Sequence, residues 1–199
     1  EIFGAEHLLA RRAASPAVAE QLLQRLRWWV DYAARAGTTL ESNLAAGNRE
    51  GGLTTIAEKA LGAVAKGGTM PLQAVYRYAE QIDRTGLVFM DTPGYDPVSV
   101  TGQLAGGCTI IVFTTGRGSV FGSVPAPTIK VASRTELFEQ LPDDMDIDAG
   151  AILRGTPVAQ LGQIIFEQIL AVASGSPTRS EAHGFGQEEF TPWQIGPAF

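Results

Sequence analysis

Gly86 to Gly122 reads GLVFMDTPGYDPVSVTGQLAGGCTIIVFTTGRGSVFG. It holds two apolar runs, Leu87-Val88-Phe89-Met90 and Thr109-Ile110-Ile111-Val112-Phe113, and each stops at a polar, turn-rich loop. Runs of this length, rich in β-branched residues and without alternation, mark strands buried on both faces, as in parallel sheets. Between them, Asp96-Pro97 predicts a helix start with Asp as N-cap and Pro in the first turn, and Gly106-Gly107 its stop. Strand, loop, helix, strand describes a right-handed βαβ unit. The expected strands are Leu87–Asp91, Thr109–Thr114 and Thr128–Ala132, with the first two adjacent and parallel. The fold class that follows is α/β, a Rossmann-like three-layer arrangement on a mainly parallel sheet.

Ligands of open α/β sheets bind beyond the carboxyl ends of the strands. Those ends carry Asp91-Thr92-Pro93-Gly94-Tyr95-Asp96 and Thr114-Thr115-Gly116-Arg117-Gly118-Ser119. Asp91 is a candidate general base, a metal ligand or a structural partner of a helix end. In the second loop the glycines let backbone N–H groups converge, and Arg117 offers a bidentate fork to a carboxylate. The alternatives are a turn that only reverses the chain, and an Arg117 paired with Asp91 or Asp96. Neither a P-loop nor a dinucleotide fingerprint fits the glycine spacing.

Upstream, Glu1 to Ala14 offers a short edge strand and a brief helix after Gly4. Ser15-Pro16 opens the clearest helix, with Val18, Leu22, Leu26, Trp29, Val30 and Ala33 at helical spacing and Arg25, Arg27 and Arg35 on its solvated side. Thr38 to Gly52 is irregular, either a surface connection or a functional loop. Thr55 and Glu58 form a capping box for a helix that runs to Lys66. Pro71 predicts another helix, with Leu72, Val75, Ala79 and Ile82 on one face. Downstream, Ser133 and Glu136 read as a second capping box. The acidic run Asp143-Asp144-Met145-Asp146-Ile147-Asp148 lacks the spacing of a calcium loop, which favours solvated or capping roles. Thr156-Pro157 starts the last long helix. Residues from Ser176 onward read as loop, and the apolar ending Phe190–Phe199 is expected to dock.

The formal charge is −6 over 199 residues, which argues against nucleic acid and anionic membranes as partners. No apolar run approaches the roughly 20 residues of a membrane helix. The lone Cys108 excludes an internal disulfide and fits a reducing compartment, so a cytoplasmic location is expected. Two histidines and one cysteine do not complete a usual zinc set, and the adjacent Glu6-His7 pair points its side chains about 100° apart on a helix. The start at Glu1 without methionine fits a piece of a longer polypeptide.

Gly51–Gly68 (GGLTTIAEKALGAVAKGG), Phe89–Gly107 (FMDTPGYDPVSVTGQLAGG), Phe113–Gly122 (FTTGRGSVFG), Asp144–Gly150 (DMDIDAG) and the ending EEFTPWQIGPAF follow one another in an order that resembles the altronate/galactarate dehydratase family, in its C-terminal part. The resemblance covers the whole chain. It implies a single C-terminal domain of a longer enzyme, divided here into a helical lead-in (1–85), a βαβ core (86–175) and a docking tail (176–199). It implies a hydro-lyase that converts a sugar acid to a 2-keto-3-deoxy acid, upstream domains of the same polypeptide as partners, and a homo-oligomer. It further implies a divalent metal, iron or manganese, held mainly outside this chain. The alternatives are a non-catalytic scaffold or oligomerisation role, and a related 2-hydroxy-acid lyase such as a sulfolactate lyase. Asn43–Asn48 (NLAAGN), Ala60 and Asp148 depart from the family pattern, which leaves the substrate open.

Taking a proton beside a carboxylate requires a base and stabilisation of an enolate-like dianion. The candidate catalytic residues are Asp91 and Lys59. Lys59 and Lys66 can equally be surface lysines of their helix. The candidate substrate-binding residues are Thr92, Thr114, Thr115, Gly116, Arg117, Gly118 and Ser119. No metal ligand is assigned within the chain.

Overall fold

Ser15 accepts a hydrogen bond from the Val18 N–H at 3.3 Å, and Pro16 fills the first turn, so the chain enters a 20-residue helix without an unsatisfied start. In this computed structural model, residues 1–44 and 46–196 are described. They divide into two compact units, Glu1–Gly106 with Pro192–Phe199, and Gly107–Thr191.

The first unit contains α1 (Glu6–Ala10), α2 (Pro16–Arg35), a 3-10 turn at Leu40–Asn43, α3 (Ala46–Glu50), α4 (Ile56–Lys66), β1 (Leu72–Tyr76), β2 (Leu87–Met90) and α5 (Asp96–Ala105). Its core joins Ile2, Ala5, Leu9, Leu22, Ala60, Val64 and Leu72. The predicted capping box forms: Thr55 Oγ1 accepts from the Glu58 N–H, and Glu58 accepts from the Thr55 N–H. Hydrogen bonds from the Thr54 N–H and hydroxyl, and then from the Thr55 N–H, hold the Glu58 carboxyl below the usual glutamate value.

The helix expected after Pro71 is a strand. β1 pairs in parallel with β2 (Val75 beside Phe89, Tyr76 beside Met90), and the Leu72 N–H donates to Arg12 O while Leu72 O accepts from the Ala14 N–H. Apolar spacing at 72, 75, 79 and 82 mimics a helical face, but Ala79 sits at φ 61, which no α-helix continues through. Backbone partners on β2 and at residues 12–14 decide the matter for β-prone Val75 and Tyr76. A strand therefore lies inside the expected helical lead-in of residues 1–85.

The second unit contains β3 (Ile111–Thr115), β4 (Thr128–Ala132), α6 (Thr135–Gln140), β5 (Ile147–Asp148), a 3-10 turn at Ala149–Arg154, α7 (Val158–Ala173) and α8 (Arg179–Ala182). β4 is central, with β3 and β5 parallel on either side. Ile129, Val131, Ile147, Leu161 and Val172 form its core under α7, and Ala132, Leu137 and Met145 form a second cluster beneath α6. Gly150 is required where the 3-10 turn crosses α6: a Cβ there would lie 2.1 Å from the Thr135 backbone nitrogen.

Every strand pairing among the described residues is parallel, as an α/β chain requires. The expected pairing of Leu87–Asp91 with Thr109–Thr114 does not occur, because β2 pairs with β1 and β3 with β4, in separate sheets. The boundary at Gly106–Gly107 accordingly falls inside the expected 86–175 core. Asp96 is the first residue of α5 and not its cap, which is Tyr95, and α6 starts at Thr135 without the capping box expected of Ser133 and Glu136. α8 interrupts the segment read as loop after Ser176.

In the first unit the tail docks through Trp193, whose ring lies 5.4–6.0 Å from those of Trp28, Trp29, Tyr32 and Tyr78. The Tyr32 hydroxyl donates to Gly196 O at 2.8 Å and accepts from the Gly196 N–H at 2.9 Å. Among the described residues of the tail, Phe190 is 53% and Ile195 92% exposed. Phe199 lies outside the described residues.

Candidate functional site

Asp91 follows β2 directly and is 4% exposed. Its backbone N–H continues the sheet by donating to Tyr76 O. Both carboxylate oxygens are occupied: Oδ2 accepts from Arg25 Nε at 2.6 Å, and Oδ1 accepts from the Trp29 indole N–H. Arg25 is therefore not a solvated arginine of α2. Its guanidinium neutralises a buried carboxylate and stacks 4.7 Å over the Trp28 ring. Nothing in the helical pattern of α2 marks Arg25, because its partner lies 66 residues away. Of the expected pairings for Asp91, the structure realises the structural one, with Arg25 in place of Arg117.

A second group of charges lies near this strand end. Lys59, on α4, pairs through Nζ with the Glu1 carboxylate at 3.1 Å, and its side chain is mostly buried. The Asp96 carboxyl is pushed above the usual aspartate value, first by desolvation and then by the Glu1 carboxylate, while Lys66 and Lys59 act in the opposite sense. Thr92 shares its hydroxyl with Ser99 at 2.7 Å and donates to Pro93 O. Glu1, Trp29, Leu40, Ile56, Phe89, Asp91 and Thr92 are among the residues lining a small cavity of about 60 Å³ here. Asp91, Lys59 and Thr92 thus belong to the first unit. Asp96 was read in the sequence as a helix start and as an alternative partner of Arg117, not as a carboxyl with a raised pKa.

Thr114, Thr115, Gly116, Arg117, Gly118 and Ser119 belong to the second unit, at the carboxyl end of β3. The Thr115 hydroxyl accepts from the N–H groups of Arg117 (3.3 Å) and Gly118 (3.1 Å), so these two donors are already used within the loop. Arg134 Nε donates to Gly116 O at 3.2 Å, and Gly118 sits at φ 95, a conformation that suits glycine. The Arg117 side chain is exposed and pairs with no carboxylate among the described residues. The loop therefore offers a free guanidinium on a backbone that the sheet, Thr115 and Arg134 hold in place.

Lys130 anchors the same loop from below, a role that its place inside a largely apolar strand does not announce. It is 0% exposed; Nζ donates to Ser119 O at 3.1 Å and lies 3.6 Å from the Asp144 carboxylate. Burial lowers its pKa, opposed by Asp144, Asp146 and Glu189. Of the acidic run, Asp144, Asp146 and Asp148 are engaged internally, while Asp143 is exposed. Asp146 accepts from the backbone N–H groups of Lys130 and Arg179, and Asp148 accepts from the Thr135 hydroxyl and Arg154. Cys108 is half-buried, and desolvation raises its thiol pKa, the opposite of an activated nucleophile.

The model of the family described as D-galactarate/Altronate dehydratase, C-terminal, matches residues 1–198. The chain belongs to this family. Among its curated relatives, galactarate dehydratase (L-threo-forming) of Escherichia coli (strain K12) is 40% identical over 176 residues, 88% of this chain and 34% of that protein. Altronate dehydratase of Bacillus subtilis (strain 168) is 34% identical over 187 residues, 93% of this chain and 37% of that protein. The (2R)-sulfolactate sulfo-lyase subunit beta of Chromohalobacter salexigens is 34% identical over 195 residues, 96% of this chain and 49% of that protein. The chain thus spans between a third and a half of the length of these relatives. Among the described residues of this dehydratase-family chain, no group of three His, Cys, Asp or Glu side chains is placed to hold a metal ion. No helix among them is long and apolar enough to cross a membrane.

Proposed function

We propose that this chain is the C-terminal part of a dehydratase that removes water from a sugar acid and yields a 2-keto-3-deoxy acid. The observation that carries the reading is the family match across residues 1–198, joined by 34–40% identity to galactarate and altronate dehydratases. In such a reaction the proton on the carbon beside the carboxylate is lost, and the hydroxyl on the next carbon leaves as water. The resulting enol becomes the keto acid when its carbon takes up a proton and its hydroxyl gives one up. Three needs follow: a base for the proton beside the carboxylate, which this reading draws from upstream parts of the polypeptide, a positive charge facing the enolate-like dianion, and a proton for the departing hydroxide.

In this reading Lys59 supplies the charge. Asp96, whose carboxyl is held above the ordinary value by burial and by Glu1, supplies the proton. Asp91 is a positioning residue: it is 4% exposed, and Arg25 and Trp29 each hold one of its oxygens. In the second unit Arg117 is the candidate partner of a carboxylate, with Thr114 and Ser119 as hydroxyl partners beside it; in the first unit Thr92 is the candidate hydroxyl partner. Iron or manganese draws its ligands mainly from upstream parts of the polypeptide. A cytoplasmic, homo-oligomeric enzyme is the accompanying proposal.

One observation favours a second reading. The sulfolactate sulfo-lyase subunit is matched over nearly all of this chain, so a 2-hydroxy acid with a different leaving group fits the same framework. The full-length protein, incubated separately with galactarate, altronate and sulfolactate, distinguishes the two. Formation of a 2-keto-3-deoxy acid from a sugar acid supports the dehydratase. Release of sulfite from sulfolactate, with both sugar acids untouched, overturns it.

A further inference from the structure

All three tryptophans of the chain, Trp28, Trp29 and Trp193, line one cleft of about 390 Å³ in the first unit, together with Tyr78, Arg25, Arg77 and Asp91. Clefts of roughly 300–1,000 Å³ are the size that holds small molecules. Three features of this one point to an anion. First, the Trp193 Nε1–H is buried without a hydrogen-bond partner, a donor that native structures rarely leave unmet. Second, the Arg77 side chain is exposed and pairs with no carboxylate among the described residues, although its backbone N–H is held by Glu80 at 2.8 Å. Third, the one acidic wall is already neutralised, because Arg25 and Trp29 take both oxygens of Asp91.

The remaining charge of the cleft is that of Arg77, in a chain whose formal charge is −6. A guanidinium with no carboxylate partner in its own protein, beside aromatic walls, is placed to make a fork-shaped pair with a carboxylate. Glu80 also faces Arg25 and Arg77, across the neighbouring groove lined by Gln21, Gln24 and Tyr76. Its carboxylate is engaged by the Arg77 backbone, so it positions the residue without neutralising the side chain.

We infer that this cleft binds the carboxylate of a sugar acid, with Arg77 as its bidentate partner and the Trp193 indole N–H as a second donor. The inference rests on the sugar-acid reading above and adds a binding site that is separate from the Arg117 loop. Arg25 and Asp91 hold the aromatic wall, while the exposed Arg77 can be changed without disturbing the core.

The test is calorimetric titration of the full-length protein with galactarate, and with galactitol as the uncharged polyol of the same carbon skeleton. Wild type and Arg117→Ala bracket the experiment, and Arg77→Ala and Trp193→Phe are the variants. The expected result is saturable galactarate binding that persists in Arg117→Ala, is weakened at least 10-fold by Arg77→Ala and several-fold by Trp193→Phe, and has no galactitol counterpart. Melting temperature should be unchanged in Arg77→Ala. Galactarate binding by Arg77→Ala at the wild-type constant overturns this inference and leaves the dehydratase reading standing. Galactitol binding as tightly as galactarate has the same consequence. A wild-type protein that binds neither galactarate nor altronate overturns both.

Discussion

Asp91→Asn separates a structural carboxylate from a catalytic base with one atom changed. Asn keeps the oxygen that accepts from the Trp29 indole, but turns an NH2 group toward Arg25 Nε, where an acceptor stood at 2.6 Å. Breaking a fully buried pair by removing one partner costs about 3–5 kcal/mol, and an exposed pair contributes about 0–1. Asp91 is at the buried end, with 5% side-chain exposure, and Arg25 at 22% can recover part of its hydration. The expected loss is therefore about 2–3 kcal/mol. For a chain of this size, at about 2–4 °C per kcal/mol, the melting temperature should fall by about 4–12 °C. Thermal unfolding followed by circular dichroism measures the shift. A double-mutant cycle with Arg25→Met should return at least about 1 kcal/mol of coupling, since the two groups are in direct contact. If Asp91→Asn melts within 1 °C of wild type while the full-length enzyme loses turnover, Asp91 is a working base and the positioning role is wrong.

Two further perturbations follow from the second unit. Arg117→Lys in the full-length enzyme should lower kcat/KM about 10- to 100-fold with little change in melting, because an ammonium loses the bidentate fork; a variant of full activity that melts several degrees lower assigns the arginine to structure instead. For Lys130, the folded pKa lies below the ordinary lysine value of 10.5, so the unfolded chain binds the proton more tightly, and stability rises as pH climbs from the lowered value toward 10.5. Urea unfolding at pH steps should show wild type gaining on Lys130→Met across that window, and a flat difference would contradict the buried, desolvated lysine.

The strands at Thr128–Ala132 and Leu87–Met90 were legible because a run of β-branched and apolar residues between turn signals has no other use. α2 and α4 were legible because Ser15-Pro16 and the Thr55–Glu58 box are local, each satisfied within three residues. β1 was not, since the spacing of Leu72, Val75, Ala79 and Ile82 is compatible with a helix and only its pairing with β2 excludes one. The partition of β2 and β3 into separate sheets escaped for the same reason: strand order is a long-range property that a βαβ pattern suggests but does not contain. In the candidate site, Arg117 and its glycines stand out as a motif. Arg25, Lys130 and Asp96 owe their character to partners 66, 14 and 95 residues away in Asp91, Asp144 and Glu1, and no spacing rule reaches that far.

The claim that this chain contributes to the chemistry, and does not only support it, turns on Lys59. In the full-length enzyme acting on galactarate or altronate, Lys59→Met should lower kcat at least about 100-fold, which corresponds to about 2.7 kcal/mol of lost transition-state stabilisation. Its melting temperature should move little, since Lys59 meets Glu1 in a partly exposed pair. Wild-type turnover by Lys59→Met, in a protein that remains folded, would contradict the account and leave the first unit a scaffold.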